Sequence, residues 1–312
     1  MKLEVPTELG LRIKAAGAVG EQWFLSLEDR IEHLSKLWQV TPREVLSGGS
    51  ESLVLRVERE DGSSAVIKLG MPPDCDCERE ARVLRLAGGP PYVGLLANDE
   101  DTNALLLECL GIRLAESGLP VGDQLDVLCQ TLAQGWIAIG PGAGLMTGAE
   151  KAAWLADFID TMWKDLAPPF EVGVKEEALG YCETRALAHT DQGSVLVHGD
   201  GHAHNALYAL APREGLRLVD PDGLFAEPAC DLAVPMRDWN GPLLGGDAWT
   251  VGQARLKRIV ELTGVDAVSI WQWGFMERVS TGLMMLSIGM EKEGLETLMV
   301  AQSWHETERR TS

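Results

Sequence analysis

The chain has 312 residues, 46% of them hydrophobic and 24% charged, an ordinary composition for a folded protein and a length sufficient for two lobes. Its formal net charge of −20 argues against nucleic acid or an anionic membrane surface as a partner, since both would be repelled, and suits solubility or a cationic small molecule. Six scattered cysteines form no disulfide framework, no apolar run reaches membrane-spanning length, and the N-terminus MKLEVPTELG has no apolar signal core, so a cytoplasmic protein with free thiols is expected.

In chain order, Phe24, Leu27, Ile31, Leu34 and Trp38 recur at steps of three and four, which predicts one amphipathic helix over Glu21–Trp38. After Gly48-Gly49-Ser50, alternation at Leu53, Leu55 and Val57 runs to Asp61-Gly62 and returns through Ser64-Ala-Val-Ile-Lys68-Leu, a hairpin signal. Lys68 stands inside an apolar strand, where its ammonium needs a partner. A loop, Met71–Asp76, leads to a helix over Glu78–Leu86 with Ala81, Leu84 and Ala87 inward. Gly88-Gly-Pro-Pro91 breaks that helix, and Tyr92–Ala97 and Ala104–Glu108 read as strands.

From Asp123 the pattern is helical, with Leu125, Leu128, Leu132 and Trp136 on one face, then a glycine-rich loop from Gly140 to Gly148. Further helices are predicted from Glu150, over Lys175–His189, over Arg255–Thr263 and over Trp271–Gly289, and a frayed tail over His305–Ser312. Trp239, Trp249, Trp271 and Trp273 enrich this half, mostly as core, with one or two available to stack on an acceptor ring.

Between these helices lies the stretch around which the chain is organised. Val195-Leu-Val leads into His198-Gly199-Asp200, Asn205 follows five residues after Asp200, and Leu216-Arg-Leu-Val leads into Asp220. Two short strands thus each end in a loop that carries oxygen donors. A base-like Asp, an amide oxygen with a second Asp, and a Lys are what phosphoryl transfer requires, because that chemistry is mostly positioning and charge neutralisation. Asp-x4-Asn is the spacing of the protein-kinase catalytic loop. His198 is expected to brace the loop. A zinc site using His198, His202 and His204 would compete for residues already explained. Asp222 suits a capping role in a Pro-Asp-Gly turn, with a place facing the metal or the acceptor as the alternative, and Asp231 suits either a helix N-cap or a bond back to the loop backbone.

At these residues the sequence resembles the aminoglycoside phosphotransferase group. The runs LVDPDGLFAEPACDLA, AVIKLG and LLLECL point to its aminoglycoside or hydroxyurea antibiotic resistance kinase branch, over roughly residues 6–294. The pattern departs from the family at Gly201, where an apolar residue is usual, and at His204, where glycine is frequent. The resemblance implies an α+β, protein-kinase-like bilobal fold: a small antiparallel-sheet lobe over residues 1–109 and a larger, mainly helical lobe over residues 110–312. It implies ATP and Mg2+ as cofactors, with transfer of the γ-phosphate to a hydroxyl of streptomycin or a related aminoglycoside. Hydroxyurea, choline or homoserine are alternative acceptors, and a nucleotide-binding module without catalysis is a remoter one. The roles it implies are Asp200 as catalytic base, Asn205 and Asp220 on the metal, Lys68 on the phosphates, and Glu80, or else Glu78, paired with Lys68. Gly48, Gly49 and Ser50 would loop over the triphosphate, and the backbone of Glu108 and Leu110 would meet the adenine edge.

Overall fold

The computed structural model describes residues 4–47, 49, 51–73, 75–212 and 214–311, and the chain divides into two compact units. One takes the residues up to Ile112 together with Leu207–Asp220; the other takes Arg113–Ala206 and Pro221–Ser312.

The first unit opens with three short helices, α1 (Thr7–Ala15), α2 (Gly17–Leu25) and α3 (Leu27–Leu37). The single helix predicted over Glu21–Trp38 is therefore two, parted at Ser26, whose hydroxyl donates to the Trp23 carbonyl (2.7 Å) and accepts from Arg30 Nε (2.8 Å). That local bonding offers the backbone an alternative to continuing the helix, and Phe24, expected inside, is exposed.

The strands β1 (Val40–Leu46), β2 (Ser52–Arg59), β3 (Ser64–Gly70), β4 (Leu95–Asp99) and β5 (Ala104–Glu108) form an antiparallel sheet in the order β1-β2-β3-β5-β4. The β2–β3 hairpin turns at Asp61-Gly62 as expected: Asp61 Oδ1 accepts from Ser63 N (2.9 Å) and Gly62 takes φ +80°, a conformation that glycine adopts without a Cβ penalty. Leu53, Leu55, Val57, Ala65, Ile67 and Leu69 share one face and close a core with Leu9, Trp23, Leu27, Ile31 and Leu34. Because strand side chains alternate, Val66 and Lys68 point to the opposite face. Helix α4 (Cys77–Ala87) packs against β3, β4 and β5. It is capped by Asp76, which accepts from Arg79 N (3.1 Å), and ends at Gly88 in the left-handed conformation.

The strand β6 (Leu110–Arg113) belongs to a second sheet, of order β10-β9-β6, with two strands from much later in the chain, β9 (Ala206–Ala209) and β10 (Leu216–Leu218). Backbone bonds from Val93 N to Leu218 O (2.9 Å) and from Leu218 N to Pro91 O (2.7 Å) fasten β10 to the segment before β4. This pairing carries Asp220 into the first unit.

The second unit is mainly helical: α5 (Val121–Gly135), α6 (Gly148–Leu166), α7 (Val172–Ala188), α8 (Pro228–Arg237), α9 (Asn240–Leu244), α10 (Ala248–Thr263), α11 (Ala267–Ser287) and α12 (Glu291–Thr311). A small sheet, β7-β11-β8, joins β7 (Met146–Thr147), β8 (Val195–Val197) and β11 (Leu224–Ala226). The loop expected over Gly140–Gly148 thus contains a strand, β7, parallel to β11, and Thr147 then caps α6 in a reciprocal capping box with Glu150. The core gathers Leu155, Ile159, Trp273, Phe275, Leu298 and Trp304 among others. Trp271 and Trp273 are buried, and Trp271 packs on Trp249 and Trp304. The tail predicted to fray is instead the last part of α12: Trp304 is fully buried, and His305 is buried and paired with Glu177. No helix among the described residues is long and apolar enough to cross a membrane.

Candidate active site

In the first unit, Lys68 is 8% exposed and its Nζ donates to Glu80 Oε2 at 2.5 Å and to Asp220 Oδ1. Burial alone would lower the lysine's pKa. The Glu80 and Asp220 carboxylates outweigh that and hold it well above its ordinary value, so Lys68 stays cationic. Of the two acids weighed in the sequence, Glu80 is the one that meets Lys68; Glu78 is engaged by Arg85 (3.0 Å) and Asn98 (3.0 Å). Asp220 stands at φ +55°, a left-handed conformation that Asp tolerates better than most residues. Its side chain is half exposed while Lys68 is not.

Of the loop before β2, Gly49 is described: a Cβ there would lie 2.3 Å from the Ser52 carbonyl oxygen, so only glycine fits. Gly48 and Ser50 lie outside the described residues. Glu108 closes β5; its N–H donates to Gly94 O (2.8 Å) and its carboxylate accepts from Gly94 N (3.1 Å). Leu110 opens β6, half-buried.

In the second unit, β8 leads into the loop that carries Asp200. The loop hangs on Asp231, the fourth residue of α8, whose buried carboxylate accepts from His198 N (3.0 Å), Gly199 N (2.7 Å) and Trp136 Nε1 (3.0 Å). Burial raises Asp231's pKa, and His198 with these donors opposes the rise. Of the two readings of Asp231, this is the bond back to the loop backbone. His198 is fully buried, and its Nδ1 accepts from Asp200 N (3.3 Å). Gly199 takes φ +89°, and a Cβ there would lie 2.9 Å from Asp222 Cβ, so the turn demands glycine. Gly201's missing side chain is explained locally: a Cβ would meet Leu132 Cδ2 at 2.5 Å. Asn205 Nδ2 donates to the Asp200 carbonyl (3.1 Å), which leaves its Oδ1 for another partner.

Asp200's carboxylate is flanked by Arg237 Nη2 (3.5 Å) and His202 Nε2 (3.5 Å). Burial would raise its pKa, but Arg237, then His202, His198 and Lys151, hold it below the ordinary carboxylate value, so Asp200 is ionised at neutral pH. Burial lowers the pKa of His202 against the pull of Asp200. Among the described residues no group of three or more His, Cys, Asp and Glu side chains is arranged to hold a metal ion.

Sequence reasoning missed a chain of charges behind Asp200. Arg237 also meets Asp238 (2.9 Å) and Glu277 (3.7 Å), and Glu277 meets Lys151 (3.3 Å). Arg237 ends α8, whose last turn meets two buried arginines: Arg255 donates to Met236 O (3.1 Å) and, just past the helix, to Trp239 O (3.1 Å), and Arg278 to Met236 O (2.9 Å). Those bonds satisfy carbonyls that a helix end otherwise leaves open. The available signal was Glu277-Arg278, two charges in the middle of the apolar stripe of α11, since charges are rarely buried unless paired.

A sequence model described as aminoglycoside/hydroxyurea antibiotic resistance kinase matches residues 37–289. The chain is 27% identical over 279 residues to a streptomycin 6-kinase of Streptomyces glaucescens, covering 88% of each protein. It is 28% identical over 285 residues to a hydroxyurea phosphotransferase of Kitasatospora aureofaciens, covering 87% of this chain and 77% of that protein. Among solved structures, a choline kinase from Streptococcus pneumoniae superposes with a TM-score of 0.61 at 16% identity, covering 90% of this chain and 99% of that one. A spectinomycin phosphotransferase gives 0.54 at 14% identity, covering 89% and 93%. The fold is therefore the expected α+β, kinase-like one. The catalytic-loop spacing, the buried Lys68–Glu80 pair and the match over most of the chain meet in one conclusion: this protein belongs to the aminoglycoside/hydroxyurea antibiotic resistance kinases, and is an ATP-using phosphotransferase acting on a hydroxyl of a small molecule.

Proposed function

We propose that the chain transfers the γ-phosphate of ATP to a hydroxyl of streptomycin or a closely related aminoglycoside in the cytoplasm, and so confers resistance. The observation that supports this reading most is Lys68, buried and cationic, with its Nζ on Glu80 and Asp220. In this reading the unit that holds Lys68 binds the nucleotide, and the unit that holds Asp200 binds the acceptor. Lys68, oriented by Glu80, meets the phosphates; Gly48, Gly49 and Ser50 cover them with backbone N–H groups. The Glu108 N–H donates to Gly94, and in this reading the backbone about Glu108 and Leu110 lies along the adenine edge.

Asp200, kept ionised by Arg237, orients the acceptor hydroxyl and takes its proton as the oxygen attacks the γ-phosphorus and the bond to the leaving ADP oxygen breaks. For Mg2+, which would supply charge neutralisation on the triphosphate when bound, each unit offers one donor, Asn205 in one and Asp220 in the other. Their fit rests on donor chemistry: an amide oxygen left over by Asn205 Nδ2 and a half-exposed carboxylate are hard donors for a hard cation. The net charge of −20 favours a polycationic acceptor.

The 28% identity to a hydroxyurea phosphotransferase favours hydroxyurea as the second reading. An ADP-release assay with streptomycin, other aminoglycosides, hydroxyurea, choline and homoserine, run with Asp200→Ala as control, separates them. The highest kcat/KM is expected for streptomycin, with KM rising as salt screens the attraction. Turnover of none of these acceptors refutes the proposal.

A further inference from the structure

Beside Asp200, wholly within its own unit, lies a pocket of about 300 Å³, at the small end of the range for ligand sites. Its two long walls are single helix faces. Lys151, Trp154 and Phe158 follow one another along α6 at steps of three and four, and Glu277, Ser280 and Met284 follow along α11 in the same way. Asp200, Asp222 and Arg237 contribute further charged groups to the lining.

The contents of the walls restrict what fits. Trp154 and Phe158 stack at 5.4 Å between centroids with 14° between their planes, and Trp154 is nonetheless 50% exposed. A large aromatic left half in water beside a proton-accepting Asp is apolar surface that an occupant would cover. The charges nearby are already matched within the protein. Lys151 Nζ lies 3.3 Å from Glu277 and 5.1 Å from the centre of the Trp154 ring, and Arg237 is shared by Asp238, Asp200 and Glu277. The lining sets three carboxylates, Asp200, Asp222 and Glu277, against two cations, Lys151 and Arg237, so its charges nearly balance and offer an acceptor's own cation little net attraction. What gains is a neutral, hydroxyl-bearing ring, with C–H surface for the aromatic pair and hydroxyls for Ser280 and Asp200.

Resting on the phosphotransferase reading above, we infer that this pocket is the acceptor subsite, that it takes a single saturated, polyhydroxylated ring rather than the acceptor's charged groups, and that Trp154 determines specificity. The ring packs its C–H face on Trp154 and Phe158 and turns one hydroxyl to Asp200, while its cationic substituents lie at or beyond the pocket mouth. Covering about half of what Trp154 exposes removes apolar surface worth roughly a factor of ten in affinity.

The test compares wild type, Trp154→Ala and Trp154→Phe in the full-length enzyme by steady-state kinetics, with streptomycin and hydroxyurea as acceptors. The expected result is a rise of about ten-fold in the streptomycin KM for Trp154→Ala, with kcat and the ATP KM changed much less. The kcat/KM ratio of streptomycin to hydroxyurea should fall, and Trp154→Phe should restore most of it, because hydroxyurea has no ring to lose contact. A merely structural role would lower the melting temperature and move all the constants together. A streptomycin KM unchanged in Trp154→Ala overturns the inference and leaves the phosphotransferase reading standing. Failure of wild type to turn over either acceptor overturns that reading and the inference with it.

Discussion

Replacing Asp231 by Ala tests how the catalytic loop is held. The substitution strips the acceptor from three groups at once: His198 N–H (3.0 Å), Gly199 N–H (2.7 Å) and Trp136 Nε1–H (3.0 Å). An orphaned buried donor costs about 1–3 kcal/mol, so three would cost roughly 3–9 kcal/mol. Against this, the variant regains the desolvation cost of a carboxylate that is 1% exposed, a few kcal/mol by the usual magnitude for a buried ion. A net destabilisation of about 2–4 kcal/mol is expected, read by urea unfolding. Burial raises Asp231's pKa in the folded state. A group with a raised folded pKa contributes stability that is fully present below its unfolded pKa and is lost as pH rises through its folded pKa. The gap between wild type and Asp231→Ala should therefore be largest on the acid side and narrow with rising pH. Because displacing the loop by an ångström costs on the order of 10²-fold in rate, kcat should fall as well. A stability change under about 1 kcal/mol, below the cost of even one orphaned donor, or a gap that widens with pH, would refute this reasoning.

Other consequences are measurable. Arg237→Gln removes the first of the charges that hold Asp200's pKa down, so the acid limb of the kcat–pH profile should move to higher pH; an unmoved limb would show that Arg237 does not act on the base. Lys68→Met should lower kcat/KM for ATP by about 10²–10³-fold, the usual loss for one charge-stabilising donor, and Glu80→Gln by less, measured by ADP release. Gly201→Ala puts a Cβ against buried Leu132 and should cost about 1–3 kcal/mol as overpacking. The double variant Gly201→Ala/Leu132→Val should recover part of that, read as a coupling energy in thermal unfolding.

The candidate site residues were legible because each breaks a local rule of its segment. Lys68 sits in an apolar strand, Asp200 follows a strand end through His-Gly, and Asp61-Gly62 marks a hairpin whatever surrounds it. The residues hidden from the sequence depend on distant partners. The strands β9 and β10 are each four residues or fewer, and their place beside β6 and Pro91–Val93 is set by non-local backbone pairing that no periodicity records. Asp220 therefore gave no sign that its carboxylate would sit on Lys68. The last residues looked frayed because their charges dominate the pattern, whereas Trp304 and His305 find burial only once α7, α10 and α11 are assembled around α12. Trp154 was similarly mute: a tryptophan on a helical stripe signals core, and only its exposure beside Asp200 sets it apart.

The division of labour between a nucleotide-holding lysine and a proton-accepting aspartate is tested most directly by one paired measurement on Asp200→Ala: ATP affinity by titration calorimetry, and ADP release with streptomycin. Nucleotide affinity within a few-fold of wild type together with turnover lowered by several orders of magnitude is the expected result. Turnover near the wild-type rate would contradict it and remove Asp200 from the chemistry.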